Sequence, residues 1–210
     1  MIRVMVADDH AIVRKGLIEI ARESREIEIR GEASEYSSLM RLLRDDVCDV
    51  LLLDIAMPGK NGIDVLKVVH EQFPKTRVLI LSMYPEDQYA IRALKAGASG
   101  YLTKDSAPDR LVEAILTVAR NKKYITAKVA EMLATHLVSD SAASPHEALS
   151  DREFQTMRLI ASGKQLSQIA EELSLSPKTV SVYRARVLEK MQLKNNAEIT
   201  HYAIRHGLVE

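Results

Sequence analysis

The chain has 210 residues, with 29 basic and 29 acidic side chains, six histidines, one cysteine and no tryptophan, a length that suits two small domains better than one. At 47% hydrophobic and 28% charged residues it can build real cores, which excludes a disordered or collagen-like polymer. No apolar run approaches the roughly 18 residues needed to cross a bilayer, and Met1 leads into Ile-Arg-Val-Met-Val-Ala without a signal-peptide core, so a cytoplasmic protein with no membrane partner is expected.

Read from the first residue, short β-branched or apolar runs alternate with segments of helical period. The predicted strands are Ile2–Ala7, Ile27–Ala33, Val50–Leu53, Val78–Leu81 and Gly100–Leu102. The predicted helices are Ala11–Glu23, Tyr36–Arg44, Gly62–Gln72, Glu86–Ala96 and Ala107–Arg120. Such alternation implies a parallel sheet covered on both faces, because parallel strands need crossover connections, so residues 1–120 read as an α/β domain. Beyond it a short amphipathic piece, Ala127–Leu137, runs into small and polar residues that cannot bury a core. Residues 121–148 therefore read as a linker with a short helix, centred near 138–148. Charge follows this division: residues 1–120 carry 17 basic and 19 acidic side chains, 121–149 three of each, and 150–210 nine and seven. The lone Cys48 can form neither an internal disulfide nor a multi-thiolate metal site and reads as a small buried residue.

In a parallel sheet of this kind ligands bind beyond the carboxyl ends of the strands. The first strand stops at Asp8-Asp9, the third at Asp54, the fourth at Ser82 and the fifth at Thr103-Lys104, so these groups should converge. Taken singly each is an ordinary turn or surface residue. Three carboxylates at one rim, however, repel one another unless a cation is shared, and oxygen ligands favour a hard ion such as Mg²⁺. Met57-Pro58-Gly59 and Gly62 would shape the loop after Asp54, and His10 would line the site, while His70, His136, His146, His201 and His206 read as surface or packing residues.

With Asp-Asp after strand one, Leu-Leu-Leu-Asp-Ile-Ala-Met-Pro-Gly-Lys-Asn-Gly around strand three, Leu-Ser-Met at strand four and Gly-Tyr-Leu-Thr-Lys at strand five, residues 1–120 resemble the receiver domain of a bacterial two-component response regulator. The resemblance implies a flavodoxin-like (βα)5 fold with strand order 2-1-3-4-5. It implies that Asp54 is the phosphoacceptor for a sensor histidine kinase, and that Asp8, Asp9, Asp54 and the Ala56 carbonyl hold Mg²⁺. It also implies that Lys104 and Ser82 contact the phosphoryl oxygens and that Tyr101 is the aromatic that turns inward on activation. Two departures stand out. Asp105 follows Lys104 where many receivers have proline, and Met83 beside Ser82 is bulkier than the usual small residue.

From Leu149 the pattern changes. Ser150 and Glu153 form a capping box before a helix that ends at Gly163, Leu166–Leu173 carries an apolar stripe, and Pro177 opens the next helix after a short turn. Two short helices joined by such a turn read as a helix-turn-helix. At about 100° per residue, Val180, Tyr183, Val187 and Met191 share the apolar side, while Lys178, Ser181, Val182, Ala185 and Arg186 point away. Pro177–Lys194 holds five basic residues and one acid, a face of small and basic side chains suited to the DNA major groove.

Leu-Ser-Asp-Arg-Glu, Gln-Ile-Ala-Glu-Glu-Leu, Leu-Ser-Pro-Lys-Thr-Val and Glu-Lys-Met-Gln-Leu make residues 149–210 similar to the LuxR-type helix-turn-helix of NarL/FixJ response regulators, most of all those of the GacA/UvrY and BvgA kind. A smaller, all-α four-helix domain is thereby implied. Candidate DNA contacts are Lys178, Thr179, Ser181, Val182, Arg184, Ala185, Arg186 and Lys190, and Ile199, Tyr202, Ala203 and His206 on the last helix are candidate dimerisation residues. Ser181 and Tyr183 replace a basic residue and a histidine common in the family.

The expected function is a phosphorylation-activated transcription factor, not an enzyme, that binds promoter DNA as a homodimer, with RNA polymerase as a further partner. Two rivals stand beside it. An aspartate-based phosphohydrolase would need a second acid-base carboxylate where Ala56 stands, and an adaptor whose helical domain contacts protein would bind duplex DNA independently of salt or not at all.

Overall fold

The computed structural model describes residues 1–57, 60–138 and 144–209, with side chains left undescribed at 136–138. Pro58 and Gly59 of the expected loop, the His136 side chain and the 139–143 part of the expected linker lie outside that description. The chain divides into two compact units, Met1–Val138 and Ser139–Glu210.

In the first unit, β1 (Ile2–Ala7), β2 (Ile27–Ala33), β3 (Val50–Asp54), β4 (Arg77–Ser82) and β5 (Gly100–Thr103) form one sheet in the order β2-β1-β3-β4-β5. All four pairings are parallel. The crossovers are α1 (Ala11–Arg22), α2 (Tyr36–Asp45), α3 (Gly62–Gln72) and α4 (Glu86–Lys95), and α5 (Ala107–Ala119) follows the last strand. The flavodoxin-like order and the element sequence agree with expectation. β3, β4 and β5 each extend to one more residue at the carboxyl end, because main-chain pairing continues through the polar positions, as in Asp54 with Leu81 and Ser82 with Thr103.

One face of the sheet presents Val4, Val6, Val50, Leu52, Leu79, Leu81 and Leu102 to Leu17 and Ala21 of α1 and Leu111, Ile115 and Val118 of α5. The alternate positions, among them Met5, Leu51, Leu53 and Ile80, are equally buried. Burial on both faces explains why β3 and β4 read as unbroken apolar runs rather than as alternating strands. Cys48 is buried just before β3, where desolvation pushes its thiol up to about 12, which keeps it unreactive.

After α5 the chain returns to the sheet. Tyr124 forms a parallel bridge with Gly100 and donates its N–H to the Ser99 carbonyl at 2.9 Å. A Cβ at Gly100 would lie 2.8 Å from the Tyr124 carbonyl oxygen, so this close approach requires glycine. The next helix, α6 (Ala127–Val138), packs on α4: Thr126 Oγ1 bonds Glu86 at 2.6 Å and Lys128 Nζ bonds Asp87 at 2.7 Å. The short helix expected inside the linker is therefore part of the first unit, held by polar side chains that its own periodicity did not reveal.

The second unit holds α7 (Asp151–Ala161), α8 (Leu166–Glu172), α9 (Pro177–Met191) and α10 (Asn196–Arg205). Ser150 and Glu153 close the expected capping box, Ser176 accepts from the Thr179 N–H, and Asn195 accepts from the Glu198 N–H. Gly163, at φ +82°, ends α7 with N–H bonds from Gly163 to Ile160 and from Lys164 to Leu159, the paired pattern of a left-handed helix terminus. Phe154, Met157, Ile169, Val180, Val187, Ile199 and Ala203 build its core.

Candidate acidic pocket and nucleic-acid interface

Strand order reverses between β1 and β3, and that switch point opens the crevice in which the polar residues meet. Register brings them together. Ala7 pairs with Leu53, so Asp8 lies beside Asp54, and Ser82 pairs with Thr103, so Lys104 follows on the other side. Asp8 and Asp54 are each 1% exposed. Lys104 Nζ donates to Asp54 Oδ2 at 2.8 Å and lies 2.7 Å from Asp8 Oδ2, joining both carboxylates in one buried ion pair. Burial pushes the Asp54 carboxyl above its ordinary value against the pull of Lys104. Burial also works against the Lys104 charge, but Asp54 and Asp8 outweigh it and hold the ammonium above its usual value.

Asp9 and His10 complete the rim. One oxygen or nitrogen from each of Asp8, Asp9, His10 and Asp54 lies within 4.8 Å of the others. Asp8 Oδ2 and Asp9 Oδ1 are buried, the first paired with Lys104 Nζ at 2.7 Å and the second 2.8 Å from His10 Nδ1, and each carboxylate keeps further lone pairs. Oxygen-rich donors with unused lone pairs fit a hard divalent cation, so the residues present suit Mg²⁺. Ala56 is exposed at the rim, and its N–H donates to Asp54 Oδ1 at 3.2 Å. The chain returns at Asn61, whose side chain caps α3 by accepting from Ile63 N–H at 2.8 Å. There the α3 backbone touches β3: a Cβ at Gly62 would sit 2.3 Å from the Asp54 carbonyl oxygen.

Ser82 is buried and its Oγ accepts the Tyr84 N–H at 3.0 Å. Tyr101 is 1% exposed and its hydroxyl donates to the Tyr84 carbonyl at 2.8 Å. Tyr84 acts here through its backbone, and its two-residue spacing from Ser82, a side-chain turn motif, is the sequence signal for that contact. The Met83 side chain is 62% exposed. Lys104 enters a 3-10 turn, Lys104–Ser106, with no cis peptide bond among the described residues.

In the second unit, α9 divides as its periodicity predicts. Val180, Val187 and Met191 are buried and Tyr183 half-buried, whereas Lys178, Ser181, Val182, Ala185 and Arg186 are exposed on one face. Thr179 lies at the cap, its hydroxyl 2.8 Å from that of Ser176. Two basic candidates have protein partners instead. Arg184 donates to Asn196 Oδ1 at 2.6 Å, and Lys190 Nζ reaches Glu153 Oε2 at 2.6 Å. On α10, Ile199 and Ala203 are fully buried in their own unit, which removes them from any contact with a second chain. Tyr202 stacks on His206 at 4.2 Å between ring centroids and meets His146 Nδ1 through its hydroxyl at 2.8 Å.

The family model for the response regulator receiver domain matches residues 4–116, and that for bacterial regulatory proteins of the luxR family matches 147–203. The response regulator UvrY of Escherichia coli (strain K12) is 36% identical over 209 residues, 99% of this chain and 96% of that one. The response regulator GacA of Pseudomonas protegens is 35% identical over 210 residues, 100% of this chain and 99% of that one. A solved structure of two RcsB dimers bound to two parallel DNAs is similar at a TM-score of 0.61 and 26% identity, over 96% of this chain and 97% of that one.

A lysine-bridged acidic rim on a five-stranded parallel sheet, followed by a helix-turn-helix, defines a receiver joined to a DNA-binding domain. The chain belongs to the two-component response regulators of the NarL/FixJ family, with UvrY and GacA among its relatives. Among the described residues no helix is long and apolar enough to cross a membrane.

Proposed function

We propose that Asp54 receives a phosphoryl group from a sensor histidine kinase and that the modified chain regulates transcription as a dimer on promoter DNA. The observation that carries this reading is the buried ammonium of Lys104, bonded to Asp54 and paired with Asp8 at the mouth of the crevice. A carboxylate held there is an oxygen nucleophile aimed out of the sheet. One Asp54 oxygen forms a bond to phosphorus as the kinase's phosphorus–nitrogen bond breaks, and the departing imidazole takes a proton from water. Lys104 offsets the added charge, and the Ser82 hydroxyl turns from Tyr84 to donate to a phosphoryl oxygen. Asp8, Asp9, Asp54 and the Ala56 carbonyl would hold Mg²⁺, which when bound neutralises the phosphoryl oxygens.

Ser82, Tyr84 and Tyr101 form a hydrogen-bonded chain in the loop before α4, and the Tyr84 ring stacks on Tyr89 of α4 at 4.9 Å between centroids, so a change at Ser82 is passed to that helix. The functional boundaries follow as a receiver over 1–120, a connecting segment over 121–148 and a DNA-binding domain over 149–210, in the cytoplasm. Lys178, Ser181, Val182, Ala185 and Arg186 supply the exposed DNA face, with Tyr202 and His206 at the dimer contact. RNA polymerase is a further partner at the promoter.

Duplex-DNA binding to a genomic fragment pool, at two salt concentrations, with and without Mg²⁺ and a small phosphodonor, tests this. Wild type is expected to gain affinity for specific fragments with the phosphodonor, and Asp54→Ala is not. Equal binding by both proteins would show that the phosphate does not control DNA recognition, and no binding under any condition would overturn the reading.

A further inference from the structure

The helix α6 is held by few contacts, and the polar ones gather at one place. Of its described side chains only Val129 is fully buried; Met132 and Leu133 are half-buried and the others exposed. Two polar pairs complete the attachment. Thr126 Oγ1 donates to Glu86 Oε2 at 2.6 Å, and Lys128 Nζ meets Asp87 Oδ2 at 2.7 Å. The same Thr126 oxygen accepts the Val129 N–H at 3.3 Å, so the group that caps α6 is also the group that ties it to α4. Both acids stand in the first turn of α4.

That turn follows directly on the loop that answers to Ser82. Tyr84 lies two residues before Glu86, with only Pro85, the N-cap of α4, between them. Its N–H is held by Ser82 Oγ at 3.0 Å, its carbonyl by the Tyr101 hydroxyl at 2.8 Å, and its ring by Tyr89 at 4.9 Å between centroids. When Ser82 turns to a phosphoryl oxygen, the first of these holds is lost. The residues just before α6 are anchored elsewhere, at the far end of α4: Lys123 Nζ donates to the Ala98 carbonyl at 2.6 Å and the Tyr124 N–H to the Ser99 carbonyl at 2.9 Å. The segment therefore cannot follow a shift of the α4 start as a rigid body, and the pairs at Glu86 and Asp87 are the ones that part.

We propose that α6 is a latch, closed on α4 while Asp54 is unmodified and opened by its phosphorylation. The proposal rests on the reading that Asp54 is phosphorylated. A helix of 12 residues is marginal in water by itself, so α6 leaving α4 also loses its helical structure. Residues 127–138 then change from a rod of about 18 Å to a flexible chain that spans up to about 40 Å when fully extended. The added length gives the second unit the reach to meet that of a second copy on DNA. Coupling of this kind is reciprocal, so whatever opens the latch also favours the modified form of the pocket.

The test uses the full chain, beryllofluoride with Mg²⁺ as the phosphoryl mimic, and hydrogen–deuterium exchange read by mass spectrometry. In wild type, exchange over residues 127–135 is expected to rise at least tenfold with beryllofluoride while that of α5 stays unchanged, and Asp54→Ala is expected to show no rise. The double variant Thr126→Val, Lys128→Ala, altered only at the latch, should exchange fast over 127–135 without the mimic and bind beryllofluoride at least threefold more tightly by ¹⁹F resonance. Unchanged exchange over 127–135 in wild type, where Glu86–Tyr89 responds to the mimic, would overturn the latch alone. So would a double variant with an open α6 and wild-type beryllofluoride affinity. No Asp54-dependent response anywhere in the chain would overturn the phosphorylation reading, and the latch with it.

Discussion

Gly62 shows how little room the pocket leaves. The α3 backbone enters against Asp54 so closely that a methyl group would lie 2.3 Å from the Asp54 carbonyl oxygen and 2.6 Å from the Ile55 Cα. Backbone atoms cannot yield as a flexible side chain does. Gly62→Ala should therefore cost about 1–3 kcal/mol by denaturant titration, the range for overpacking, and slow phosphodonor labelling of Asp54. Gly16→Ala, at a helical position with nothing within 4 Å, should show neither effect. The sequence identified Gly62 as part of the loop after Asp54, but the contact that requires it depends on a crossing of α3 and β3 that no local pattern records. Glu153 is a second such residue. Burial pushes its carboxyl up, but hydrogen bonds from Lys190 and from the backbone and hydroxyl of Ser150 outweigh this and hold it below its ordinary value of 4.5. The unfolded chain then binds the proton more tightly than the folded one. The resulting stability is fully present above pH 4.5 and is lost as pH falls through the folded value. Glu153→Gln should lower stability at pH 7 and flatten the loss as pH falls below 4.5, as measured by denaturant midpoints.

Among the elements, α9 carries two kinds of basic residue that look alike in sequence. Lys178 and Arg186 are exposed on the face with Ser181, Val182 and Ala185, whereas Arg184 and Lys190 are held by Asn196 and Glu153. Lys178→Ala and Arg186→Ala should each weaken duplex binding and reduce its log–log salt slope by about 1 while leaving thermal stability unchanged. Lys190→Ala should show the opposite pattern, a loss of stability with little change in slope. The partition of α9 into buried and exposed faces was legible from a 3.6-residue period, because α9 packs through a single stripe. The commitment of Lys190 was not, since its partner lies 37 residues away. The same reason accounts for Ile199 and Ala203. Their spacing marks a face of α10, and a face fit for a second chain is equally fit for α7 of its own unit. The ten principal elements were legible within two residues at each end, since apolar runs, caps and breakers are local. How α6 attaches was not, since it rests on Thr126 and Lys128 reaching acids at the start of α4.

At the scale of the whole molecule, the division into two units and the reversal of strand order between β1 and β3 place the chemistry of each unit at one defined surface. The α/β character of the first unit and the helical character of the second followed from composition and period alone, while the strand order came from resemblance. The extent of the first unit was the less legible part, because α5 completes the alternating pattern and the remaining residues look like connection. Yet the strand-like contact of Tyr124 with Gly100 lies along β5, the last strand of the sheet, which has β4 on its other side. A chain ending at residue 120 would keep all five strands and the five helices α1 to α5 and still uncover main-chain donors and acceptors there. Such a row is a template on which another copy can add a strand. A fragment of residues 1–120 is therefore expected to self-associate reversibly in sedimentation at concentrations where residues 1–138 stay monomeric. The segment that looks like a tether is, at its start, the guard that keeps the receiver from aggregating.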